Sequence, residues 1–256
     1  MRKVEYFNES EIPYGILAKF GLTREMIESL PEAVMDRLLS SRATPVLPLV
    51  TENDGVRVCC QGRISLTRND DRVDVIFNPE WQINELEDFT PDEQEQLNNG
   101  DVLYANVNDR GKCFVQLDSI LNKCMFVPAF VIDQNIDCLA SCETVDDNDI
   151  MRLKNGQVVE ITEGNDMVTV GIDLDVPTCI RIVKGDTMKW WKEREADNLP
   201  QYSFGLYGCW INDGNDHLTY VDEDDYTNEM LEQQALMAGR NAATAQMNNI
   251  GNTLRR

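Results

Sequence analysis

The phrase LNNGDVLYANVNDRGKCFVQLD, Leu97 to Asp118, is written again as LKNGQVVEITEGNDMVTVGID, Leu153 to Asp173. A chain that repeats a phrase of this length folds as tandem copies of one supersecondary unit. Each copy opens with a short polar helix. Thr90 caps the first, Pro91 fits N1, and Glu93 completes a Thr-x-x-Glu capping box. Asp146 or Asp147 caps the second. Each helix stops at Asn-Gly, Asn99-Gly100 and Asn155-Gly156, because glycine takes the left-handed backbone that a helix C-cap needs.

Two strands follow, joined by the turns Asn108-Asp109-Arg110-Gly111 and Glu163-Gly164-Asn165-Asp166. In the second strand of each copy, apolar residues alternate with polar ones. Cys113, Val115 and Leu117 share one face with Gln116 and Asp118 between or beyond them; Val168, Val170 and Ile172 alternate with Thr169 and lead to Asp173. This period of two predicts a sheet with one buried face. A third strand begins at Cys124 and at Cys179. The copies stand 56 residues apart at the glycine and 55 at the Asp and Cys. One residue has dropped from the hairpin turn, where a length change is best tolerated.

A fainter copy lies upstream. Pro31–Ser41 reads as a helix with Val34/Leu38 and Met35/Leu39 paired at i,i+4, and Pro45–Thr51, Val56–Thr67 and Arg72–Phe77 read as strands. Here the helix-to-strand connection is longer. A unit of this size has too little core to stand alone, so the copies are expected to lean on one another and to share a common apolar interior. Before them, Pro13–Phe20, stopped by Gly21, and Thr23–Leu30 read as short helices that cap the first sheet. After them, Ser203–Ile211 and His217–Val221 read as a hairpin around Asn212–Asp216. Asp224–Met247 reads as a final helix. Its stripe of Leu231, Ala235, Ala238, Ala242 and Ala245 suits packing on its own domain or on a partner helix. The expected fold is therefore α+β: tandem helix-plus-three-stranded antiparallel meanders with a helical N-terminal cap and a C-terminal helix. Residues 1–80 hold the cap and the first, divergent unit. Residues 81–143 hold the second, and 144–256 the third with the aromatic hairpin and final helix.

Charge narrows the function. The chain carries 23 Lys+Arg against 45 Asp+Glu, a net of -22, and the imbalance is uneven. Residues 1–80 have 10 basic and 13 acidic side chains; the remainder has 13 and 32. That larger part repels a phosphate backbone, so direct nucleic-acid binding is disfavoured. An acidic surface suits solubility, basic partners or imitation of a phosphate backbone. The opening MRKVEYFNES has no apolar core of a signal peptide and no stretch nears 18 apolar residues, which points to a cytoplasmic chain with no membrane contact. Eight cysteines then read as reduced, mostly buried thiols.

No convergent catalytic set is visible. The one histidine, His217, lies in an apparent strand without an activated nucleophile, and there is no glycine-rich phosphate loop. Cys59-Cys60, Cys138 and Cys142 lack paired Cys-x-x-Cys spacing. Asp118 and Asp173 recur in register, so they are either turn residues or, with other acids, ligands of a cation. The turn reading is preferred, and no catalytic, cofactor or metal residue is assigned. Aromatic side chains gather near the end of the chain. Of these, Trp190, Trp191, Tyr207, Trp210 and Tyr220 form the candidate interaction surface. Lys184–Pro200 has four basic and four acidic residues, so the cluster is no basic groove.

The stretch FNESEIPYGILAKFGLTREMIESLPEAVMDRLLSSRATPVLPL, with FTPDEQEQLNNGDVLYANV, VTVGIDLDVPTCIRI and YSFGLYGCWINDG, resembles domain-of-unknown-function proteins carried on conjugative and mobilisable elements of Bacteroidota. Related repeat modules occur beside type I topoisomerases. The resemblance spans residues 6–245 and brings no catalytic residues with it. It implies a bacterial cytosolic setting and an accessory role in element biology. The leading expectation is a non-enzymatic module that binds a protein partner. The alternatives are an acidic DNA-mimic inhibitor of a nucleic-acid-binding protein and a carboxylate-metal enzyme.

Overall fold

Close punctuation keeps the first helices short. Helix α1 (Tyr14–Leu17) runs into a 3-10 turn, Ala18–Phe20, and halts at Gly21 with φ 79°. Helix α2 (Arg24–Glu28) begins at Thr23, whose Oγ1 accepts the Met26 amide at 3.2 Å. Helix α3 (Glu32–Leu39) starts after Pro31. The three cap an antiparallel sheet of β1 (Leu47–Asn53), β2 (Val56–Asn69) and β3 (Arg72–Pro79). The computed structural model describes residues 6–53, 55–70, 72–81, 86–140, 145–163, 166–195 and 199–239.

The unit recurs. Helix α4 (Pro91–Asn98) carries the expected capping box and leads to β4 (Leu103–Val107), β5 (Gly111–Asp118) and β6 (Lys123–Pro128). A helix with no sequence forecast, α5 (Ala129–Ala140), intervenes. Then α6 (Asp147–Lys154), capped by Asp146, leads to β7 (Val159–Glu163), β8 (Asp166–Ile172) and β9 (Ile180–Lys184). The aromatic hairpin proves to be a further unit. Helix α7 (Thr187–Glu195) precedes three strands, β10 (Tyr202–Phe204), β11 (Gly208–Asn212) and β12 (Leu218–Asp222). Gly205 and Gly208 break the expected Ser203–Ile211 strand with a tight turn, closed by the Gly205 amide on the Gly208 carbonyl at 2.8 Å. Among the described residues there are thus four three-stranded antiparallel sheets, each preceded by a helix. Residues 228–239 form the last described helix, α8, after a 3-10 turn at Glu223–Asp225.

Shared backbone devices identify the copies better than their side chains do. In the first three units the helix ends in one hydrogen-bonded cap. The amides of Arg42, Asp101 and Gln157 donate to the carbonyls of Arg37, Gln96 and Arg152 at 2.9, 3.0 and 3.0 Å. The left-handed residue is Ser41, Gly100 or Gly156, with φ 59°, 83° and 81°. Each cap sits beside a buried leucine, Leu38, Leu97 or Leu153. The turn from middle to third strand also repeats, with a left-handed non-glycine residue in every unit: Asp70, Asn122, Cys179 and Asp216.

Strand register matches too. Leu103 faces Val115 and Val159 faces Val170. Val115 then faces Phe126 and Val170 faces Ile182. The textual match of Cys124 with Cys179 is one residue off, however. Lys123 pairs with Asp118, whereas Cys179 offers its carbonyl to the Asp173 amide at 3.2 Å. The later turn holds one residue more.

The expected common interior is replaced by three cores. Val115, Leu117 and Leu97 pack with Leu86 and Phe89. Val170, Ile172 and Leu153 pack with Ile132 and Ile136 of α5. The first sheet packs under its helical cap with Trp210 and Leu218 of the fourth unit. Nor do β5 and β8 have one buried face. Phe114, on the reverse of β5, enters the core of the third unit. On the reverse of β8, Trp190 lies so close to Gly171 that a Cβ there would meet its ring at 2.7 Å. The polar residues on these reverse faces are buried because they are satisfied. The Thr169 hydroxyl donates to the Gly185 carbonyl at 2.6 Å, and the Gln116 side-chain carbonyl accepts the Leu174 amide at 2.8 Å.

The contacts close on themselves. Lys123 donates Nζ to the Asn78 side-chain oxygen at 3.3 Å, joining units one and two; Gly156 abuts the Val102 carbonyl, joining two and three. Trp190 joins three and four through its indole N–H on the Arg181 carbonyl at 3.2 Å. A parallel bridge between Val46 and His217 joins four to one, with amide bonds of 2.8 Å from Val46 to Asp216 and from Leu218 to Val46.

Candidate functional site

Asp118 and Asp173 end the middle strands of two consecutive units, and the structure sends both toward one polar hub. Asp118 first does the work of a turn residue. Its Oδ1 accepts the amides of Ile120 and Leu121, each at 3.1 Å. Asp173 accepts the Asp175 amide at 3.0 Å in the same way. Both are also ion-paired. Arg63, on β2, donates Nε to Asp118 at 2.7 Å, Nη1 to Asp216 and Nη1 to the Thr44 carbonyl at 3.0 Å. Arg181 donates Nε to Asp173 at 2.6 Å, and Asp175 lies 3.7 Å from Arg37. Arg63, Asp118, Asp175, Arg181, Arg194 and Asp216 line a cavity of about 270 Å³ there.

Burial and charge set the electrostatics of the hub. Burial pushes the Arg63 guanidinium down, but the Asp118 and Asp216 carboxylates outweigh it and raise it. Arg194 is lowered by burial against the opposing pull of Asp173 and Asp175; its guanidinium lies 5.0 Å from the Trp191 ring centre. Asp175 keeps 33% of its side-chain surface open at the cavity mouth, yet its carboxyl is raised, chiefly by desolvation within the cleft and against the pull of Arg37. Asp118 and Asp216 share the Arg63 guanidinium, Asp173 pairs with Arg181, and Asp175 faces Arg37 at 3.7 Å, so each of the four already has a cation of the chain beside it. Among the described residues, no three His, Cys, Asp or Glu side chains are grouped to hold a metal ion. The arrangement is a clasp between units, able to hold strand ends together in low dielectric. An arginine inside the apolar stretch Gly62–Leu66 is the sequence signal for it.

The aromatic residues divide. Trp190 and Trp210 have 0% exposure and belong to the interior, not to a contact surface. Each satisfies its indole N–H on a carbonyl, Trp210 on Met26 at 2.9 Å. Trp191 and Tyr220 are half-buried. Tyr207, at 41%, is exposed beside Leu206 on the β10–β11 turn, and its amide donates to the Ser29 hydroxyl at 3.3 Å. His217 donates Nδ1–H to the Asn215 carbonyl at 2.9 Å. Cys113, Cys124, Cys179 and Cys209 are buried, whereas Cys59 and Cys138 are exposed and Cys60 is half-buried; Cys142 lies outside the described residues. Burial pushes the Cys209 thiol up to about 11. On α8, Leu231, Ala235 and Ala238 are exposed and Met230 is buried, so these three residues of the stripe do not pack among the described residues; Ala242 and Ala245 lie outside the described residues.

A cleft larger than the one at the hub lies within the helical cap. Helix α3 buries Val34, Arg37 and Leu38 against the core. Its opposite stripe, Glu32, Met35, Asp36 and Leu39 at i, i+3, i+4 and i+7, lines a groove of about 760 Å³. Ile12 and Tyr14 from the start of the chain, with Leu30 after α2, supply the rest of the apolar floor. Glu9, Glu28, Glu32 and Asp36 stand on the rim. The one rim cation, Arg24, is committed to Glu28 at 2.6 Å and lies 4.8 Å over the Tyr14 ring. Burial and the Glu28 charge raise the Tyr14 hydroxyl. Tyr207 and Leu206 reach this side of the molecule through Ser29, at the end of α2.

A family model described as a protein of unknown function (DUF4099) matches residues 7–82, which carry the helical cap, the groove and β1 to β3. No curated protein and no solved structure matches the chain. No helix among the described residues is long and apolar enough to cross a membrane.

Proposed function

We propose that the chain is a non-enzymatic protein-interaction module, accessory to a bacterial mobile genetic element. The groove on α3 carries this reading: half-buried Tyr14, Met35 and Leu39 over buried Ile12 and Leu30, rimmed by carboxylates, with exposed Leu206 and Tyr207 following the β10 strand. Ridged apolar floors with polar rims are how proteins seat other proteins. The ion pairs of the hub favour a structural role there over metal chemistry, because a guanidinium already occupies each carboxylate. The sequence resemblance supports the mobile-element setting and, with it, a partner in a bacterial cytosol.

Cross-linking and mass spectrometry on cells that carry the element tests the module. A partner cross-linked to this chain, and lost when Met35→Gln and Tyr207→Ala are introduced together, supports the reading. Failure to enrich any protein above a control of the same charge refutes it.

A further inference from the structure

The groove carries information about what it takes. Its floor is apolar, and its rim is acidic at both ends of α3. Glu32 and Asp36 are four residues apart and so stand one helical turn apart, about 6 Å. Glu28 and Glu9 continue the rim across the cleft, and Arg24 is spent on Glu28. A second copy of this chain is a poor occupant, since it brings another net charge of -22 to an acidic rim.

We infer that this groove docks a basic amphipathic segment of a partner protein, with lysines or arginines one turn apart over Glu32 and Asp36 and aliphatic side chains over Met35 and Leu39. The inference rests on the interaction-module reading and adds the chemistry of the partner. The apolar face of such a segment covers the half-buried Tyr14, Met35 and Leu39. Its cations meet carboxylates on the rim, where charge sets orientation and encounter rate more than affinity.

The test uses the full chain and a fluorescent synthetic helix with leucine on one face and lysine on the other, read by anisotropy. Two variants remove equal charge: Glu32→Gln with Asp36→Asn on the rim, and Asp92→Asn with Glu95→Gln on the exposed face of α4. The rim variant weakens binding about fivefold, and Met35→Gln about as much, while the α4 variant stays within about twofold of wild type. Equal losses for both charge variants overturn the inference, because net charge alone then explains the binding. Equal binding of a scrambled peptide overturns it as well. The chain's own residues 240–256 hold Arg240, Arg255 and Arg256 and no acid. If replacing those three arginines by glutamine strengthens peptide binding, the occupant is the chain's own segment and the inference fails. A dimer dispersed by Met35→Gln makes the occupant a second copy, with the same result. These failures concern only the occupant; the module reading is decided separately, by whether any cross-linked partner is found.

Discussion

Replacing Arg63 by methionine removes a side chain that ties β2 to both the second and fourth units. Its guanidinium is 8% exposed and reaches Asp118, Asp216 and the Thr44 carbonyl. Arg63→Met leaves the Asp118 carboxylate, 10% exposed, and the Asp216 carboxylate, 29% exposed, without that partner. Breaking a buried pair by deleting one member costs about 3–5 kcal/mol. Asp118 keeps the two turn amides and Asp216 keeps some solvent, so the low end applies, about 3 kcal/mol. With a urea m-value of about 3 kcal/mol/M for a chain of this size, the midpoint falls by about 1 M. Tryptophan fluorescence in a urea titration reads this directly. Adding Asp118→Asn removes the stranded charge and keeps an oxygen for the turn. The double variant should lie about 2 kcal/mol above the sum of the singles. A midpoint shift below about 0.3 M, or strict additivity, would show that the hub is a solvated surface pair and not a clasp.

Two repeat-equivalent glycines make an internal control. Gly100→Ala costs about 1 kcal/mol for the left-handed backbone alone, since the new Cβ meets nothing closer than 4.0 Å; Gly156→Ala adds a Cβ 2.3 Å from the Val102 carbonyl and should cost at least about 2 kcal/mol more. Equal thermal shifts for the two would contradict the unit-to-unit contact. Asp175 gives a pH test. Its carboxyl is raised above the ordinary 3.8, so its contribution is fully present below that value and lost as pH rises through the folded one. Asp175→Asn should therefore be neutral or stabilising at pH 7 relative to wild type, an advantage that fades in acid; a variant less stable at pH 7 than in acid, relative to wild type, reverses the sign. Trp190→Ala should cost about 3–5 kcal/mol of stability. Tyr207→Ala should stay within about 0.5 kcal/mol, with its effect confined to partner capture. Calorimetry on both separates core from surface.

The repeat was legible because its caps and alternation are local. Thr90, Asp146, Gly100 and Gly156 act where the sequence places them. The first copy was fainter because Ser41 does the work of the glycine, and a serine in the left-handed region leaves no textual mark. The fourth unit was hidden for a related reason. Its helix α7 carries Trp190 and Trp191, which read equally well in a strand, and Gly205 splits its first hairpin. Burial of the reverse faces was beyond reach. Gln116 and Thr169 read as solvent-facing, and only their long-range partners Leu174 and Gly185 make them interior. The hub was half visible. Asp118 and Asp173 announced themselves by register, while Arg37, Arg63, Arg181 and Arg194 come from four elements with no shared spacing. The groove was missed because Met35 and Leu39 read as core; they do pack against it, and only part of each side chain stays open on the second face of α3.

The bridge from Val46 to His217 has a consequence for synthesis. The first hydrophobic core includes Trp210 and Leu218, which leave the ribosome after nearly the whole described chain. Until then the helical cap and first sheet lack two of their large side chains, and Arg63 lacks Asp216. Units two and three can settle as they emerge, but the earliest-made part is the last to be completed. Nascent chains stalled before Trp210 should expose that apolar seam to chaperones and proteases.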